Sequence, residues 1–373
     1  MLKYLKHFLP SLTAFIILAS YLQGMYYPVL FLIIFSFTVI LGDILIRGDN
    51  EIQQFSYPSI LNLSMYINLP ILFILVFFVV SIFSSYLPVW YIDGFKSVLN
   101  IDFLQLKESY NLIDKISILV TTSLFIGALG IVPAHELTHR KKDKFDMFVG
   151  NWLLSFSWDC NFAIEHVYGH HKNVCLPEDP ASAKRGENIY LFILKAIKDE
   201  QVSGWEIESS RLRRKKLGLL SVHNRMITGY IRSIFITVAT YMFGGPEGML
   251  TFLLCALLAK SFLEGINYIE HYGLVRERGK PVEMRHSWNS NHFFSSIYLY
   301  NVTRHSDHHS NTNLKFWELK PKDEHAPMLP YGYLLMLYLV LLAPFAYKAI
   351  MKRELEFWDQ NYANSFERSF VKS

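Results

Sequence analysis

The chain has 373 residues, of which 51% are hydrophobic, 16% are aromatic and only 18% are charged, and its formal net charge is +4. Charged residues usually make up about a quarter of a soluble domain, so this composition excludes a soluble globular enzyme and a disordered chain. Cys160, Cys175 and Cys255 form no C-x-x-C pair and cannot make an even framework, which excludes a disulfide-stapled secreted domain.

Apolar segments long enough to cross a bilayer recur along the chain. An apolar run of about 18 or more residues with few or no charged side chains predicts a membrane-spanning helix. The first such run is too long for one crossing and is divided near Gly24 and Pro28. The predicted spans are residues 8–24, 26–46, 67–86, 116–133, 228–245 and 248–265. Residues 329–349 contain Pro344 and predict either a seventh span or an interfacial segment, and we favour the interfacial segment.

Lys and Arg residues near the span ends predict the orientation, because cytoplasmic loops carry an excess of them. Lys3 and Lys6 place the N-terminus in the cytoplasm, and the basic groups at 140–144 and 211–216 lie on the same side. We therefore expect an all-α integral membrane protein with six transmembrane helices and a helical cytoplasmic cap. The expected order is four transmembrane helices (1–134), a cytoplasmic segment (135–227), two transmembrane helices (228–266) and a second cytoplasmic segment (267–373).

Nine of the 14 histidines fall in four short motifs, all on the predicted inner side. Histidines at i and i+4 lie on one face of a helix, so their ring nitrogens converge as a metal ion requires. Nine imidazoles are enough for two ions with four or five ligands each. Imidazole suits zinc, copper, iron and nickel, so the ligand type alone does not name the element. The motifs are HELTH (135–139), EHVYGHH (165–171), NYIEHYG (267–273) and RHSDHH (304–309).

Carboxylates accompany these histidines in every motif. We expect Glu136, Glu165, Glu270 and Asp307 to accept hydrogen bonds from the outer N–H of the ligands, which fixes the tautomer and raises the basicity of each imidazole. The alternative is that they are solvated charges on a helix flank. Among the other histidines, we interpret three as ordinary surface or interface groups (His7, His223 and His325) and two as supporting residues near Trp288 (His286 and His292).

The motifs follow the H-x3-H, H-x3-HH and H-x2-HH pattern and resemble those of the membrane fatty-acid desaturase and hydroxylase superfamily. Within it, NYIEHYG, PEDPAS (177–182) and RHSDHH look like the bacterial alkane 1-monooxygenases and their xylene-monooxygenase relatives, and the resemblance covers roughly residues 110–360. It implies a multi-pass enzyme of the bacterial inner membrane that uses two non-haem iron ions and dioxygen to hydroxylate a terminal methyl group. The ligands it implies are His135, His139, His166, His170, His171, His271, His305, His308 and His309.

Such a reaction needs two electrons that the chain has no evident means of collecting. The sequence contains no G-x-G-x-x-G motif after a strand and too few cysteines for an iron–sulfur site. The resemblance therefore implies a separate donor, either a rubredoxin or a ferredoxin-type carrier, with its NAD(P)H reductase. The basic groups at 140–144 and 211–216 could steer an acidic carrier or bind anionic membrane lipid. A hydrophobic substrate is expected, and a nucleic acid is not.

Several alternatives stay open. Hydroxylation of an aromatic methyl group, and desaturation or hydroxylation of a fatty acyl chain, would use the same histidine pattern. A membrane zinc metalloprotease is suggested by H-E-x-x-H with Glu136 as base, but this explains only two of the histidines. A metal transporter or sensor is disfavoured because Glu264 is the only deep acidic candidate within the predicted spans.

Overall fold

The computed structural model describes residues 2–46 and 48–372, and within them the chain is almost entirely helical. No strand occurs in these ranges, and a single parallel bridge joins Asn289 to Met328. The helices, in chain order, are α1 (Lys3–Gln23), α2 (Tyr27–Leu45), α3 (Pro58–Phe83), α4 (Val89–Leu99), α5 (Phe103–Ser109), α6 (Leu112–His139), α7 (Lys144–Ser155), α8 (162–173), α9 (Ile189–Arg214), α10 (Arg225–His271), α11 (Phe293–Tyr298), α12 (His305–Ser310), α13 (Tyr333–Leu342), α14 (Pro344–Asn361) and α15 (Ser365–Lys372).

Five of these helices, α1, α2, α3, α6 and α10, are long and apolar enough to cross a membrane. In α2 only 17% of the most apolar window is buried within the protein, although its mean hydropathy is 2.4. A soluble protein does not expose so continuous an apolar surface, so α2 faces lipid. The chain is a multi-pass membrane protein.

The longest helix, α10, is bent in its middle. Its 47 residues would extend about 70 Å if straight, more than twice the ~30 Å thickness of the hydrocarbon core. Gly244 and Gly245 leave helical geometry, and Gly245 adopts a φ of +66°, which glycine tolerates best. A Cβ on Gly248 would lie 2.9 Å from the carbonyl oxygen of Thr240, whereas eight residues of straight helix separate such atoms by about 12 Å. The chain therefore turns sharply here, at the turn predicted between 228–245 and 248–265.

The seventh apolar stretch does not form a helix of spanning length. Its apolar helix, α13, has 10 residues and is about 15 Å long, half of what a crossing requires. The chain bends at Ala343, and α14 begins at Pro344 as a separate helix. No single helix of spanning length therefore covers residues 329–349, and the interfacial segment stays a prediction.

Polar side chains cap the starts of α6, α7, α9 and α10. Asn111 and Asp114 form a capping box at the start of α6, in which each side chain accepts a hydrogen bond from the other residue's backbone N–H. Asp143, Asn188 and Asn224 cap α7, α9 and α10, each with one side-chain oxygen that accepts two backbone N–H groups. These caps set where the helices start in a chain whose apolar pattern alone does not define ends.

The N-terminal region buries one histidine. His7 was interpreted as an ordinary surface or interface group, but it is 1% exposed and packs edge-on against Phe55 and Phe316, because the 48–57 loop and the 311–317 loop cover it. His223 and His325 are exposed as expected.

Candidate metal centre

The nine motif histidines meet where α6, α8, α10 and α12 come together. They form two groups, and within each group one ring nitrogen per residue lies within 4.8 Å of all the others. We call these group one and group two. Group one contains His135, His139, His166, His171 and His308, and group two contains His170, His271, His305 and His309.

The nitrogens in each group converge closely. In group one, Nε2 of His171 lies 3.0 Å from Nε2 of His166 and 3.2 Å from those of His139 and His308. In group two, Nε2 of His305 lies 3.2 Å from Nε2 of His271 and 2.9 Å from that of His309. Such convergence places lone pairs against lone pairs unless a proton or a metal ion lies between them.

The local backbone decides which histidine joins which group. The spacing predicts that His166 aligns with His170, but the structure pairs His166 with His171 and directs His170 into group two. Residues 166–170 form a π-helical turn, whose wider i→i+5 geometry shifts the faces of a regular helix. In α12, His305 and His309 align at i and i+4 within group two, while His308 turns to group one.

Burial keeps most of these imidazoles neutral. It lowers the pKa of His166, His171, His305 and His309 well below the usual value and that of His308 to about 3, and the neighbouring histidines act in the same direction. Neutral imidazole is the form that binds a metal. Nε2 of His135 and Nε2 of His170 are buried without a hydrogen-bond partner, which costs about 1–3 kcal/mol each unless a ligand is bound. The residues present therefore fit metal ions.

His170 is the exception, because its pKa is raised. Burial alone would lower its pKa, but the Asp179 carboxylate raises it above the usual value. Both carboxylate oxygens contact its Nδ1, at 3.0 and 3.2 Å, and Asp179 is held in turn by Ser182 Oγ. Asp179 thus orients the ring and leaves Nε2 to face group two. Sequence reasoning missed this contact, although Asp179 lies inside the PEDPAS motif.

The four carboxylates expected to support the histidines have different partners. Glu136 accepts hydrogen bonds from Arg140 at 2.6 Å and from the backbone N–H of Phe316 at 3.0 Å. Glu165 accepts one from Ser203 Oγ at 3.1 Å, and Asp307 accepts one from the backbone N–H of Lys320 at 2.8 Å. Glu270 Oε2 lies 3.3 Å from Nε2 of His305, on the side where the group two nitrogens converge. This contact is to the nitrogen of His305 that faces group two, and the supporting role of Glu270 stays a prediction.

His286 supports group two through its backbone. Its carbonyl oxygen lies 3.0 Å from Nδ1 of His271, and its own ring contacts Glu367 at 3.0 Å. The sequence placed His286 near the site without a ligand role, and no motif pointed to Glu367, which is 81 residues away. Trp288, expected to act with His286, is buried and donates its indole N–H to the carbonyl oxygen of Tyr272.

Exchanging Asp179 for Asn should weaken metal binding at group two. The amide has no charge to hold the ring of His170, and loss of such a contact typically reduces metal affinity about 10–100-fold. Metal titration of the protein stripped with a chelator measures this change, with Glu178→Gln as the control because Glu178 contacts Arg278 at the surface. Equal metal affinity in the Asp179→Asn variant and the wild type would contradict the role of this contact.

A narrow apolar cavity leads to both groups. Its walls come from α2, α6, α10, α11 and α13 and consist mainly of aliphatic and phenylalanine side chains. At its inner end it reaches His135 and His166 of group one and His305 of group two. The cavity can hold an apolar molecule with one end beside the converging nitrogens.

The histidine arrangement is matched by a known protein family. The model of the family described as "Fatty acid desaturase" matches residues 116–340 of the chain. This chain belongs to the fatty acid desaturase family. The match spans α6 to α13 and includes all nine histidines, whereas the cavity residues Phe35 and Val39 of α2 lie outside it.

Three proteins with similar sequences show which members of the desaturase family this chain resembles. It is 36% identical over 249 residues to alkane 1-monooxygenase 1 of Pseudomonas aeruginosa, which covers 65% of this chain and 64% of that protein, less than two thirds of its length. It is 35% identical over 301 residues to alkane 1-monooxygenase of Acinetobacter baylyi, covering 78% and 71% of the two chains. It is 32% identical over 238 residues to the xylene/toluene monooxygenase hydroxylase component of Pseudomonas putida, covering 64% of each chain.

Proposed function

We propose that this protein is an alkane 1-monooxygenase-like oxidoreductase that hydroxylates a terminal methyl group of an alkane or a similar hydrophobic substrate. The observation that carries the proposal is the apolar cavity that ends at His135, His166 and His305, at the meeting point of the two histidine groups. The names of the relatives support the same reaction. The balanced change is RH + O2 + 2 electrons + 2 protons → ROH + H2O.

The chemistry explains why a metal centre meets an apolar cavity. An alkane methyl group has no charge, no acidic proton and no polar handle, so acid–base and nucleophilic side chains have nothing to act on. Two iron ions, held by groups one and two, would supply the oxidising chemistry when bound. The protein orients the imidazoles through contacts such as Asp179 with His170, and the cavity walls position the substrate and exclude water.

A direct test is hydroxylation by membranes containing the iron-loaded protein with a rubredoxin and its NADH-dependent reductase. Octane, hexadecane, xylene and a fatty acid are supplied separately, and the products are identified by mass spectrometry. A primary alcohol from an alkane is the expected product. An aromatic methyl alcohol alone would favour the xylene-type alternative, and alcohol from none of the substrates, with iron bound, would remove the proposal.

The metalloprotease alternative is disfavoured by the surroundings of Glu136. Its carboxylate is engaged by Arg140 and by the backbone N–H of Phe316, so it is not free to act as a base. His135 and His139 also share group one with three further histidines, whereas a protease zinc site needs an open position. About two irons per chain would agree with the monooxygenase, and one zinc with peptidase activity would contradict it.

The proposed topology places the N-terminus and the histidine groups on the cytoplasmic side of the inner membrane. The two arms of α10, separated at Gly244 and Gly245, would then provide the fifth and sixth crossings. Residues 135–227 and 267–373 would form the helical cytoplasmic cap. The basic groups at 140–144 and 211–216, which lie next to predicted spans, support this orientation.

The length of the substrate should depend on Gly127. This residue borders the cavity, and a Cβ at this position would meet no atom within 4 Å. A Gly127→Phe variant should therefore fill part of the cavity and shift the preference towards alkanes a few carbons shorter. The measurement is the ratio of alcohol formed from octane and hexadecane, and Gly94→Phe is the control because Gly94 is equally open but lies in α4, away from the cavity. An unchanged ratio would contradict this assignment of the cavity.

We also propose where the electron donor docks. His139 is a partly exposed member of group one and borders an open polar pocket together with Arg140, Lys141, Lys142 and Lys315. An acidic rubredoxin or ferredoxin-type carrier would be attracted to this basic rim. Electrons would then enter group one through His139.

Reversing two charges at this rim should slow electron delivery. In the double variant Lys141→Glu and Lys142→Glu, kcat/KM for the reduced carrier should fall at least about tenfold at low ionic strength. The matched control reverses the exposed Lys215 and Lys216, which have the same charge but do not border the pocket. A larger loss in the control pair would instead place the docking surface beside the C-terminal end of α9.

A further inference from the structure

A cluster of charged side chains surrounds Lys260 of α10 and contains none of the group one or group two histidines. Nζ of Lys260 is 2.7 Å from Glu200 Oε2, 2.8 Å from Glu264 Oε1 and 2.9 Å from Asp159 Oδ2. All four side chains are buried, with exposures of 5% or less. We call these four residues the Lys260 cluster. The sequence pointed only to Glu264 at this depth, because Asp159 and Glu200 are distant along the chain.

The charges of the Lys260 cluster do not balance. One ammonium group faces three carboxyl groups, so full ionisation would bury two uncompensated negative charges. A buried carboxylate without compensation takes up a proton instead. Burial and the neighbouring Glu264 raise the pKa of Glu200 well above its usual value, and burial also raises that of Asp159. Asp159 Oδ1 has no hydrogen-bond partner, which leaves an oxygen that can carry a proton.

The cluster adjoins the wall of the apolar cavity. The side-chain amide of Asn267 donates to Glu264 Oε2 at 3.0 Å and lies 3.5 Å from Glu200 Oε1. Asn267 itself lines the cavity, as do His166 and His305. Asn267 therefore links two carboxyl groups of the Lys260 cluster to the space beside the histidine groups.

The proposed reaction needs protons that an apolar cavity does not contain. Resting on the proposed function, we propose that the Lys260 cluster stores two protons among its three carboxyl groups and supplies them for oxygen reduction. Asn267 is a positioning residue that keeps Glu200 and Glu264 at the cavity wall. For each molecule of dioxygen, the carrier protein provides two electrons, two protons pass from the cluster to the oxygen atom that leaves as water, and the carboxylates are then protonated again. Glu200 lies on α9, which is not one of the five helices long and apolar enough to cross a membrane.

The chain contains a close control for a purely structural role. Glu208 lies two turns further along α9, is fully buried, and joins α9 to the start of α10 through Arg211 and Arg225 at 2.6 and 2.7 Å. These two cations lower its pKa to about 2, so Glu208 is ionised and holds no proton. Glu208 does not border the cavity.

The first test detects the stored proton without turnover. Infrared spectra of the full-length protein in lipid nanodiscs should contain the C=O stretching band of a protonated carboxyl group, which shifts in D2O. This band should lose intensity in Glu200→Gln or Glu264→Gln and stay unchanged in Glu208→Gln. A double Glu200→Gln and Glu264→Gln variant with the same carboxyl band as the wild type would overturn the proposal.

The second test follows oxygen reduction. The iron-loaded protein is reduced with dithionite, separated from it, and mixed with dioxygen in H2O or D2O. Its reoxidation should be slower in D2O, and Glu200→Gln or Glu264→Gln should slow it about 100-fold, as expected when a proton donor is lost. Glu264→Asp should recover part of the rate, and Glu208→Gln should match the wild type in rate and solvent isotope effect.

If Glu200→Gln and Glu264→Gln both reoxidise at the wild-type rate with equal iron content, the proposed role of the Lys260 cluster in proton supply is overturned. Neither test uses an alkane. Failure to form alcohol from octane would therefore remove the proposed function and leave the infrared and reoxidation results to decide the role of the Lys260 cluster.

Discussion

Replacing His166 with alanine should remove about one equivalent of metal per chain and reduce hydroxylation by more than about 100-fold. His166 belongs to group one, and its Nε2 lies 3.0 Å from that of His171. Its replacement therefore removes one of the converging ring nitrogens that would bind the metal. His309→Ala should do the same to group two. Loss of a group that supports a ligand typically reduces metal affinity or activity about 10–100-fold, and loss of the ligand itself should reduce them further. The measurements are metal content by mass spectrometry and alcohol formation from octane.

The two variants together test whether each group binds its own ion. His223→Ala is the control, because His223 is exposed and lies outside both groups. Loss of both metal equivalents from either variant would show that the groups bind metal as one unit. Full metal content in both variants would contradict the assignment of the groups.

Replacing Lys260 with methionine should lower the free energy of unfolding by about 3–5 kcal/mol. Methionine fills a similar volume but leaves three buried carboxyl groups without their cation, and breaking a buried ion pair from one side typically costs this much. The midpoint of unfolding in detergent, compared at equal metal content, measures the change. Lys195→Met is the control, because Lys195 is 46% exposed and its contact with Glu187 is 3.6 Å long. That surface pair should contribute less than about 1 kcal/mol.

The loss of stability in the Lys260→Met variant should grow as the pH rises. Burial raises the pKa of Glu200 and Asp159 above their unfolded values, and removing Lys260 removes the cation that opposes this rise. Groups of this kind stabilise the folded state below the unfolded pKa of about 4 and lose that contribution as the pH rises through the folded value. A variant as stable as the wild type between pH 5 and pH 8 would contradict the charge balance described for the cluster.

The histidine motifs were readable from the sequence because their spacing is local. HELTH needs only a regular helix to align His135 with His139, and both lie in group one. The division of the other histidines was not readable. It depends on the π-helical turn at 166–170 and on how α12 is rotated against α8, which are backbone details that spacing does not encode.

The supporting contacts were also beyond local reasoning. Sequence proximity suggested that Glu136 and Asp307 support the histidines, but their partners are Arg140 and the backbone of Lys320. The contact to His170 comes instead from Asp179, and Glu367 reaches His286 from the C-terminal helix. Such pairs form because helices distant in sequence pack together, and no periodic pattern records that packing.

By itself, the sequence determined the membrane class, the positions of most long helices, the set of nine histidines and the family that they resemble. These features depend on composition and on spacings within single helices, where one residue's neighbours along the chain are also its neighbours in space. The tertiary structure decided the two histidine groups, the cavity that ends at them and the Lys260 cluster. Lys260 and Asp159 are 101 residues apart, and only the packing of α9 and the 156–161 loop against α10 excludes the water that would otherwise leave each charge independent.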